Sequence, residues 1–125
     1  MTDVDSCETN TELARQVNGS TPGSLASVCH RRGISFCHVS TDYVFDGQSR
    51  QPYAEDDETE PIQTYGESKV AGEKAVRKSH DSALIVRVSF LYGCHGASGS
   101  LIGFPAWVTA QLREGETSHS SPTSG

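Results

Sequence analysis

Hydrophobic and polar positions follow two different periods along the chain. Residues 34–39 and 83–88 are short runs enriched in β-branched and aromatic side chains, a pattern that indicates β-strands. Between them, residues 64–78 carry apolar side chains in a stripe among charged ones, as an amphipathic helix does. The second run is apolar enough to be buried on both faces, as strands of parallel sheets are. Strand, helix and strand in this order predict an α/β fold with a parallel pair of strands.

The segments on either side of this unit are less regular. Residues 12–17 form a helix-compatible run, and a glycine- and proline-containing break at 19–23 separates it from a second short helix near residues 25–29. One more helix is predicted over Phe104 to Arg113.

The size and composition of the chain limit it to one small domain with a thin core. It has 125 residues, of which 34% are hydrophobic and 12 are glycine. Residues 117–125 are rich in Ser, Thr, Pro and Gly. We therefore predict a single α/β domain over residues 1–116 and a disordered tail over residues 117–125.

Charge and hydropathy argue against several classes of partner. The formal net charge of −6 and the pI near 5.2 argue against nucleic acid, whose phosphates need clustered Lys and Arg. No stretch of about 18 apolar residues occurs, and the acidic start of the chain lacks the apolar region of a signal peptide. We therefore expect a cytoplasmic protein that binds neither nucleic acid nor a membrane.

The residues that most often bind metals are not arranged in a recognisable metal motif. The four cysteines are widely spaced without a C-x-x-C pair, which argues against a zinc site and a redox dithiol. Two Cys-His dipeptides, at residues 29–30 and 37–38, would point their side chains to opposite faces of a strand. The acidic run at residues 55–60 is interpreted as a solvated part of the long polar loop from 46 to 61. No metal site is predicted.

Tyr65 and Lys69 are the strongest candidates for chemistry. Four residues apart on a helix, their side chains lie on the same face. An ammonium beside a phenol stabilises the phenolate, so we expect the pKa of Tyr65 to fall from about 10 towards neutral pH. A tyrosine of this kind can donate or accept a proton in catalysis. The pair alone is common on solvated helices, but residues 40–47 directly follow the first strand, where α/β sheets present functional groups.

In their order and spacing, these segments resemble the extended short-chain dehydrogenase/reductases. The resemblance rests on Ser-Thr-Asp-Tyr-Val-Phe at 40–45, Tyr-Gly-Glu-Ser-Lys at 65–69 and Arg-Val-Ser-Phe-Leu-Tyr-Gly at 87–93. The branch that looks most similar is that of the dTDP-4-dehydrorhamnose reductases and their sugar-nucleotide-binding relatives. The resemblance implies a partial Rossmann-like fold with a doubly wound parallel sheet. It also implies that NADPH or NADH reduces the 4-keto group of a dTDP-deoxyhexose.

The same resemblance implies roles for individual residues. Thr41 would polarise the keto group of the substrate, Tyr65 would donate the proton, and Lys69 would contact Tyr65 and the nicotinamide ribose. Tyr65 and Lys69 would thus also bind the cofactor. Asp42 would lie beside the sugar, and Phe90 stands where the family often has a Trp near the substrate. A purely structural interpretation stays open for each, with Thr41 and Asp42 in a turn and Phe90 in packing.

The glycine-rich turn that holds the cofactor pyrophosphate in a Rossmann fold is not found ahead of these motifs. We therefore expect a chain truncated at its N-terminus, without the first strands of the fold. The run from Gly93 to Gly99 has a G-x-x-G-x-x-G spacing, but the acidic strand that should follow is missing, so it is interpreted as a flexible loop. Arg87 either positions the cofactor or pairs with a nearby acid.

Two other functions remain open from the sequence. A non-catalytic regulator similar to the beta subunit of methionine adenosyltransferase shares the resemblance, and nucleotide-sugar epimerases and dehydratases also use Tyr-x-x-x-Lys. The block at residues 40–45 favours a reductase with a nucleotide sugar as substrate. Two strands with partial helix cover leave apolar faces open, so low stability or completion of the site in a homo-oligomer is expected.

Overall fold

The computed structural model describes residues 1–89 and 91–119, without the side chains of Phe104 and residues 116–119. Its contacts group the chain into two compact units, residues 1–89 and the residues after Ser89. The first unit contains, in chain order, α1 (Val4–Thr9), α2 (Thr11–Ala14), a π-helical turn (Arg15–Ser20), α3 (Thr21–Arg31), β1 (Cys37–Thr41), a 3-10 turn (Asp42–Val44), α4 (Thr64–Ser79) and β2 (Leu84–Val88). The second contains β3 (Tyr92–Cys94), β4 (Leu101–Gly103) and α5 (Phe104–His119).

The strand, helix and strand predicted from the sequence are present as β1, α4 and β2. The two strands pair in parallel, with Cys37 opposite Leu84 and Thr41 opposite Val88. Helix α4 connects them and packs along β1. The α/β class and the parallel pair are therefore confirmed, and Thr41 lies at the carboxyl end of the first strand of the pair.

The predicted break at residues 19–23 is wrong. The backbone stays helical from Thr11 to Arg31, and a π-helical turn joins α2 to α3. Pro22 lies in the first turn of α3, directly after the π-helical turn, where the regular α-helical hydrogen bonding is already interrupted. A glycine and a proline in sequence therefore did not stop this helix, because the proline falls at a permitted position.

Glycines let α4 pack very closely against the N-terminal helices. A Cβ on Gly72 would collide with the carbonyl oxygen of Asn18, and one on Gly23 would lie 2.7 Å from the Cβ of Ala75. Apart from Tyr65, the buried apolar side chains of this unit are small, as the thin core predicted from composition requires. The bulkiest of the fully buried side chains among the described residues is that of Glu73.

The expectation that the second strand is buried on both faces is wrong. Leu84 and Val86 on β2 are 59% and 37% exposed, and Val39 on β1 is 51% exposed. Helix α4 packs against β1, and apolar side chains on both strands stay exposed. The open apolar face predicted for a two-stranded sheet is thus present.

The second unit is a short antiparallel hairpin followed by a helix. Tyr92 pairs with Gly103 and Cys94 with Leu101, so the glycine-rich run forms the end of β3 and the loop of a hairpin, and not a strand-turn-helix phosphate cradle. Helix α5 begins at Phe104 as predicted but continues to His119, so residues 117–119 are helical where a tail was predicted. Residues 120–125 lie outside the described part of the chain. Among the described residues, no helix is both long and apolar enough to cross a bilayer.

Candidate active site

Thr41 ends β1 and starts the 3-10 turn that follows it. Its side chain is buried, and its Oγ1 accepts a hydrogen bond from the backbone N–H of Tyr43 at 3.2 Å. The same hydroxyl donates to Oδ1 of Asp42 at 3.3 Å. Thr41 therefore has the capping role that the sequence left open, and this role fixes its hydroxyl at the strand end.

Tyr65 lies in the first turn of α4 and reaches the end of β1. It is 9% exposed, and the Thr41 side chain lies close enough to the phenol to affect its pKa. The Tyr43 ring contacts it edge to face, with 5.7 Å between the ring centroids. The structure thus brings together the two hydroxyls that the sequence singled out.

The start of α4 is fixed by two side chains that act as caps. Oε1 of Glu8 accepts from the Thr64 N–H at 2.6 Å, and its Oε2 accepts from the Thr64 hydroxyl at 3.0 Å. The Gln63 side chain accepts from the N–H of Gly66 at 3.3 Å. Because Tyr65 lies between these capped positions, its backbone is held in place relative to α1.

The expected fall in the pKa of Tyr65 is not found. Burial raises the pKa of the phenol, and the nearby Thr41 hydroxyl offsets only part of that rise. The Lys69 ammonium does not contribute to the shift. Tyr65 is therefore held as a neutral phenol, the form that can donate a proton.

Lys69 lies one turn after Tyr65 on α4, but its ammonium is directed to β1. Its Nζ donates to the backbone carbonyl of Val39 at 2.8 Å. Burial lowers the pKa of Lys69, and the nearby Glu73 carboxylate acts in the opposite direction. One of the three ammonium protons is used in this bond, and two remain for other acceptors.

Of the other two residues predicted to bind the substrate, the structure describes Asp42 but not Phe90. Asp42 is exposed at the start of the 3-10 turn, where its carboxylate accepts a hydrogen bond from the Thr41 hydroxyl. Phe90 lies outside the described residues, so its predicted contact stays a prediction.

A largely buried ion pair joins α4 to β2, and its acidic partner, Glu73, was not among the residues singled out from the sequence. Arg87 donates from Nε and Nη2 to the two carboxylate oxygens of Glu73, at 2.9 and 2.7 Å. Burial alone would raise the pKa of Glu73, but the hydrogen bonds and the positive charge of Arg87 hold it below its ordinary value. Of the two roles left open for Arg87, the structure shows pairing with a local acid. The signal was present in the sequence, because Tyr65, Lys69 and Glu73 repeat every four residues on one helix face.

Arg87 also anchors the long loop between the 3-10 turn and α4. Its Nη1 donates to the Glu55 carbonyl oxygen at 3.3 Å, and its guanidinium lies 5.1 Å from the centroid of the Phe45 ring. Phe45 stacks on Tyr53 with 4.2 Å between centroids. Asp42 and these four residues line one cavity of about 470 Å³ within the first unit. The loop predicted to be functional therefore forms one wall of a cavity beside Asp42.

Comparisons with known proteins agree on one family. The protein-family model described as "RmlD substrate binding domain" matches residues 1–102 of this chain. The "Probable low-salt glycan biosynthesis reductase Agl14" of Haloferax volcanii is 55% identical over 116 residues, which are 93% of this chain and 39% of that protein. A dTDP-4-keto-6-deoxy-D-glucose reductase of Streptomyces niveus is 51% identical over 90 residues, which are 71% of this chain and 31% of that protein.

Solved structures give the same result for the fold. The dTDP-4-dehydrorhamnose reductase of Bacillus anthracis in complex with NADP superimposes with a TM-score of 0.78 and 34% sequence identity, covering 94% of this chain and 39% of that one. This match confirms the predicted partial Rossmann-like α/β fold. The chain spans about two fifths of the length of this structure and of the Haloferax protein.

Proposed function

The chain belongs to the RmlD substrate binding domain family, and on that premise we propose that Thr41, Tyr65 and Lys69 form the proton-transfer part of a nucleotide-sugar keto-reductase site. The observation that carries the proposal is the position of the Tyr65 phenol beside the buried Thr41 side chain at the carboxyl end of β1. Two hydroxyls that meet at this point can both reach the oxygen of one carbonyl group.

In the proposed reaction, these residues protonate the carbonyl oxygen of the substrate as the carbonyl group is reduced. Tyr65 gives its phenolic proton to the carbonyl oxygen, which becomes the hydroxyl of the product. The Thr41 hydroxyl, which donates a hydrogen bond to Asp42 in the structure, rotates to donate to the carbonyl oxygen instead. This hydrogen bond stabilises the negative charge that develops on that oxygen. The raised pKa of Tyr65 fits this direction of reaction, because the residue must be protonated before reduction begins.

The donors available at this point fit the nicotinamide end of NADPH or NADH. Lys69 has two ammonium protons beyond its bond to Val39, and Tyr65 has a hydroxyl, so together they can bind the ribose hydroxyls of such a cofactor. A reduced nicotinamide bound there would supply the hydride to the carbonyl carbon. The run from Gly93 to Gly99 forms a hairpin loop, so the proposal assigns it no role in binding the pyrophosphate.

We assign the sugar end of the substrate to the cavity beside Asp42. The Asp42 carboxylate accepts hydrogen bonds from sugar hydroxyls, and the stacked rings of Phe45 and Tyr53 offer an apolar wall. The relative from Streptomyces niveus is named for a dTDP-4-keto-6-deoxy sugar, which makes that class the first substrate to try. We also propose that Phe90 contacts the substrate, and this part of the proposal rests on the family resemblance alone.

The test uses the purified 125-residue chain with a dTDP-4-keto-6-deoxy sugar and NADPH or NADH. We expect nicotinamide fluorescence to report binding and oxidation of the cofactor to follow the sugar. Tyr65→Phe should lower the rate about 10²- to 10⁴-fold, as loss of a general acid does, while cofactor binding persists. Tyr92→Phe, at a tyrosine that is 75% exposed, is the matched control and should leave the rate unchanged.

Two results would contradict the proposal. A rate that is equal in the wild-type and Tyr65→Phe chains would remove the phenol from the reaction. Cofactor binding without any turnover by a folded chain would favour the regulatory alternative in place of an enzyme.

A further inference from the structure

Three potential metal ligands converge at the C-terminal ends of α3 and α4, away from the proposed reductase residues. His30 lies in the last turn of α3, His80 is the C-cap of α4, and Asp81 follows it. One ligand atom of each lies within 4.8 Å of the others. We propose that His30, His80 and Asp81 bind one divalent transition-metal ion, with zinc as the best match.

The orientation of His80 is that of a metal-ligating histidine. Its Nε2 is 3.0 Å from the backbone carbonyl oxygen of Ile34, so this nitrogen carries the hydrogen and donates it. The lone pair therefore lies on Nδ1, which is 3.3 Å from the hydroxyl of Ser82. A histidine that binds a metal through one nitrogen usually donates its other N–H to a carbonyl or carboxylate in this way. In the structure the Ser82 hydroxyl occupies the direction from which an ion would bind.

The second imidazole is close enough to share an ion with the first. The rings of His30 and His80 meet edge to face, with centroids 5.1 Å apart and an angle of 67° between their planes. His30 and Asp81 are exposed, so their side chains can turn towards an ion without breaking up the core. Two imidazole nitrogens, one carboxylate oxygen and one water complete the tetrahedral set that zinc prefers.

The local electrostatics partly favour a cation. Both helices present their C-terminal carbonyls at this point, and these carry partial negative charge. Arg31 and Lys78, in the last turns of the two helices, oppose that field. Affinity must therefore come from direct coordination by the three ligands.

The site is separate from the proposed reductase residues. Tyr65 is at the first turn of α4 and His80 is at its far end, about 20 Å away for a helix of this length. A bound ion would tie α3 to α4 and act on folding, without touching the proton-transfer residues. The sequence predicted no metal site, because His30 and His80 are 50 residues apart and match no ligand spacing.

The test is a titration of the purified full-length chain with zinc, after the exposed thiols of Cys37 and Cys94 have been alkylated so that they cannot bind the ion; Cys7 is buried and stays unmodified. We expect one equivalent of zinc to bind in calorimetry and to raise the unfolding temperature. His30→Ala and Asp81→Asn should each weaken binding at least about tenfold, because each removes one ligand. Both residues are exposed, so these changes spare the core.

Matched controls are His95→Ala and Asp56→Asn, which change exposed residues of the same types elsewhere and should leave zinc affinity unchanged. Cobalt substituted for zinc should give the visible spectrum of a nitrogen- and oxygen-ligated ion, with no thiolate charge-transfer band. Failure of the alkylated chain to bind zinc saturably would overturn the proposal. So would binding that His30→Ala and Asp81→Asn leave unchanged.

Discussion

Glu73 and Arg87 form a two-pronged ion pair that joins the middle of α4 to β2, with the Glu73 residue 1% exposed. Lys69, one turn before Glu73, is bonded to β1 on the same side of the helix. The helix that carries the proposed proton donor is therefore attached to both strands by charged side chains. In this thin core, the ion pair takes the place that large apolar side chains fill in most α/β domains.

Removing the Glu73 charge should destabilise the fold strongly. Glu73→Gln leaves Arg87 without its carboxylate in a largely buried position, so we expect a loss of about 2–4 kcal/mol in the free energy of unfolding. Urea denaturation measures this as a lower midpoint with an unchanged slope. Glu67→Gln on the exposed face of the same helix is the control and should change the free energy by less than about 0.5 kcal/mol. An equal effect of the two changes would contradict the role given to the pair.

Stability should fall in two stages as the pH is lowered. Burial lowers the pKa of His38, with a further lowering by the Lys69 charge and an opposing effect of Glu73. The unfolded chain therefore binds that proton more readily, and stability declines as the pH falls below the ordinary histidine value of 6.5. The lowered pKa of Glu73 adds a second loss below its ordinary value of 4.5.

Urea midpoints measured across the acid range check this prediction. The Glu73→Gln chain should keep the first decline and show a smaller second one, because glutamine does not titrate, whereas Asp3 and Asp46, whose pKa values are also lowered by hydrogen bonds, still do. A wild-type chain whose midpoint is constant from pH 7 to pH 4 would contradict the buried, uncharged state of His38.

Tyr65 should ionise at a higher pH than an exposed tyrosine. Burial raises the pKa of its phenol above the ordinary value of 10.0. Ultraviolet difference titration of the wild-type chain against Tyr65→Phe isolates this group, and Tyr92→Phe gives an exposed tyrosine for comparison. A Tyr65 midpoint below that of Tyr92 would mean that Lys69 lowers the phenol pKa after all.

A single methyl group at Gly72 should disrupt the packing of α4. The Cβ of Gly72→Ala would collide with the backbone carbonyl of Asn18, which has little freedom to move because the Asn18 side chain is hydrogen-bonded to Ser68 and Met1. We expect a loss of about 1–3 kcal/mol, despite the higher helix propensity of alanine. Gly96→Ala, where no atom lies within 4 Å, is the control. A Gly72→Ala chain that is more stable than wild type would contradict this packing.

The local patterns in the sequence predicted the central unit well. The strand at residues 83–88 was placed to within one residue, and so was the helix at residues 64–78, because each has a strong period of its own. The break at residues 19–23 was wrong because a proline can start a helical segment as well as end one. The hairpin of β3 and β4 was missed, since three-residue strands are too short to show a period.

The sequence by itself determined the α/β class, the family resemblance and the positions of Thr41, Tyr65 and Lys69, because all of these depend on residues close together along the chain. Only the tertiary structure decided what those residues contact. It turned the Lys69 ammonium to β1, buried Tyr65 so that its pKa rises, and paired Glu73 with Arg87. Such contacts join residues that are far apart in sequence, and burial and hydrogen bonding act through distance in space, which no local pattern records.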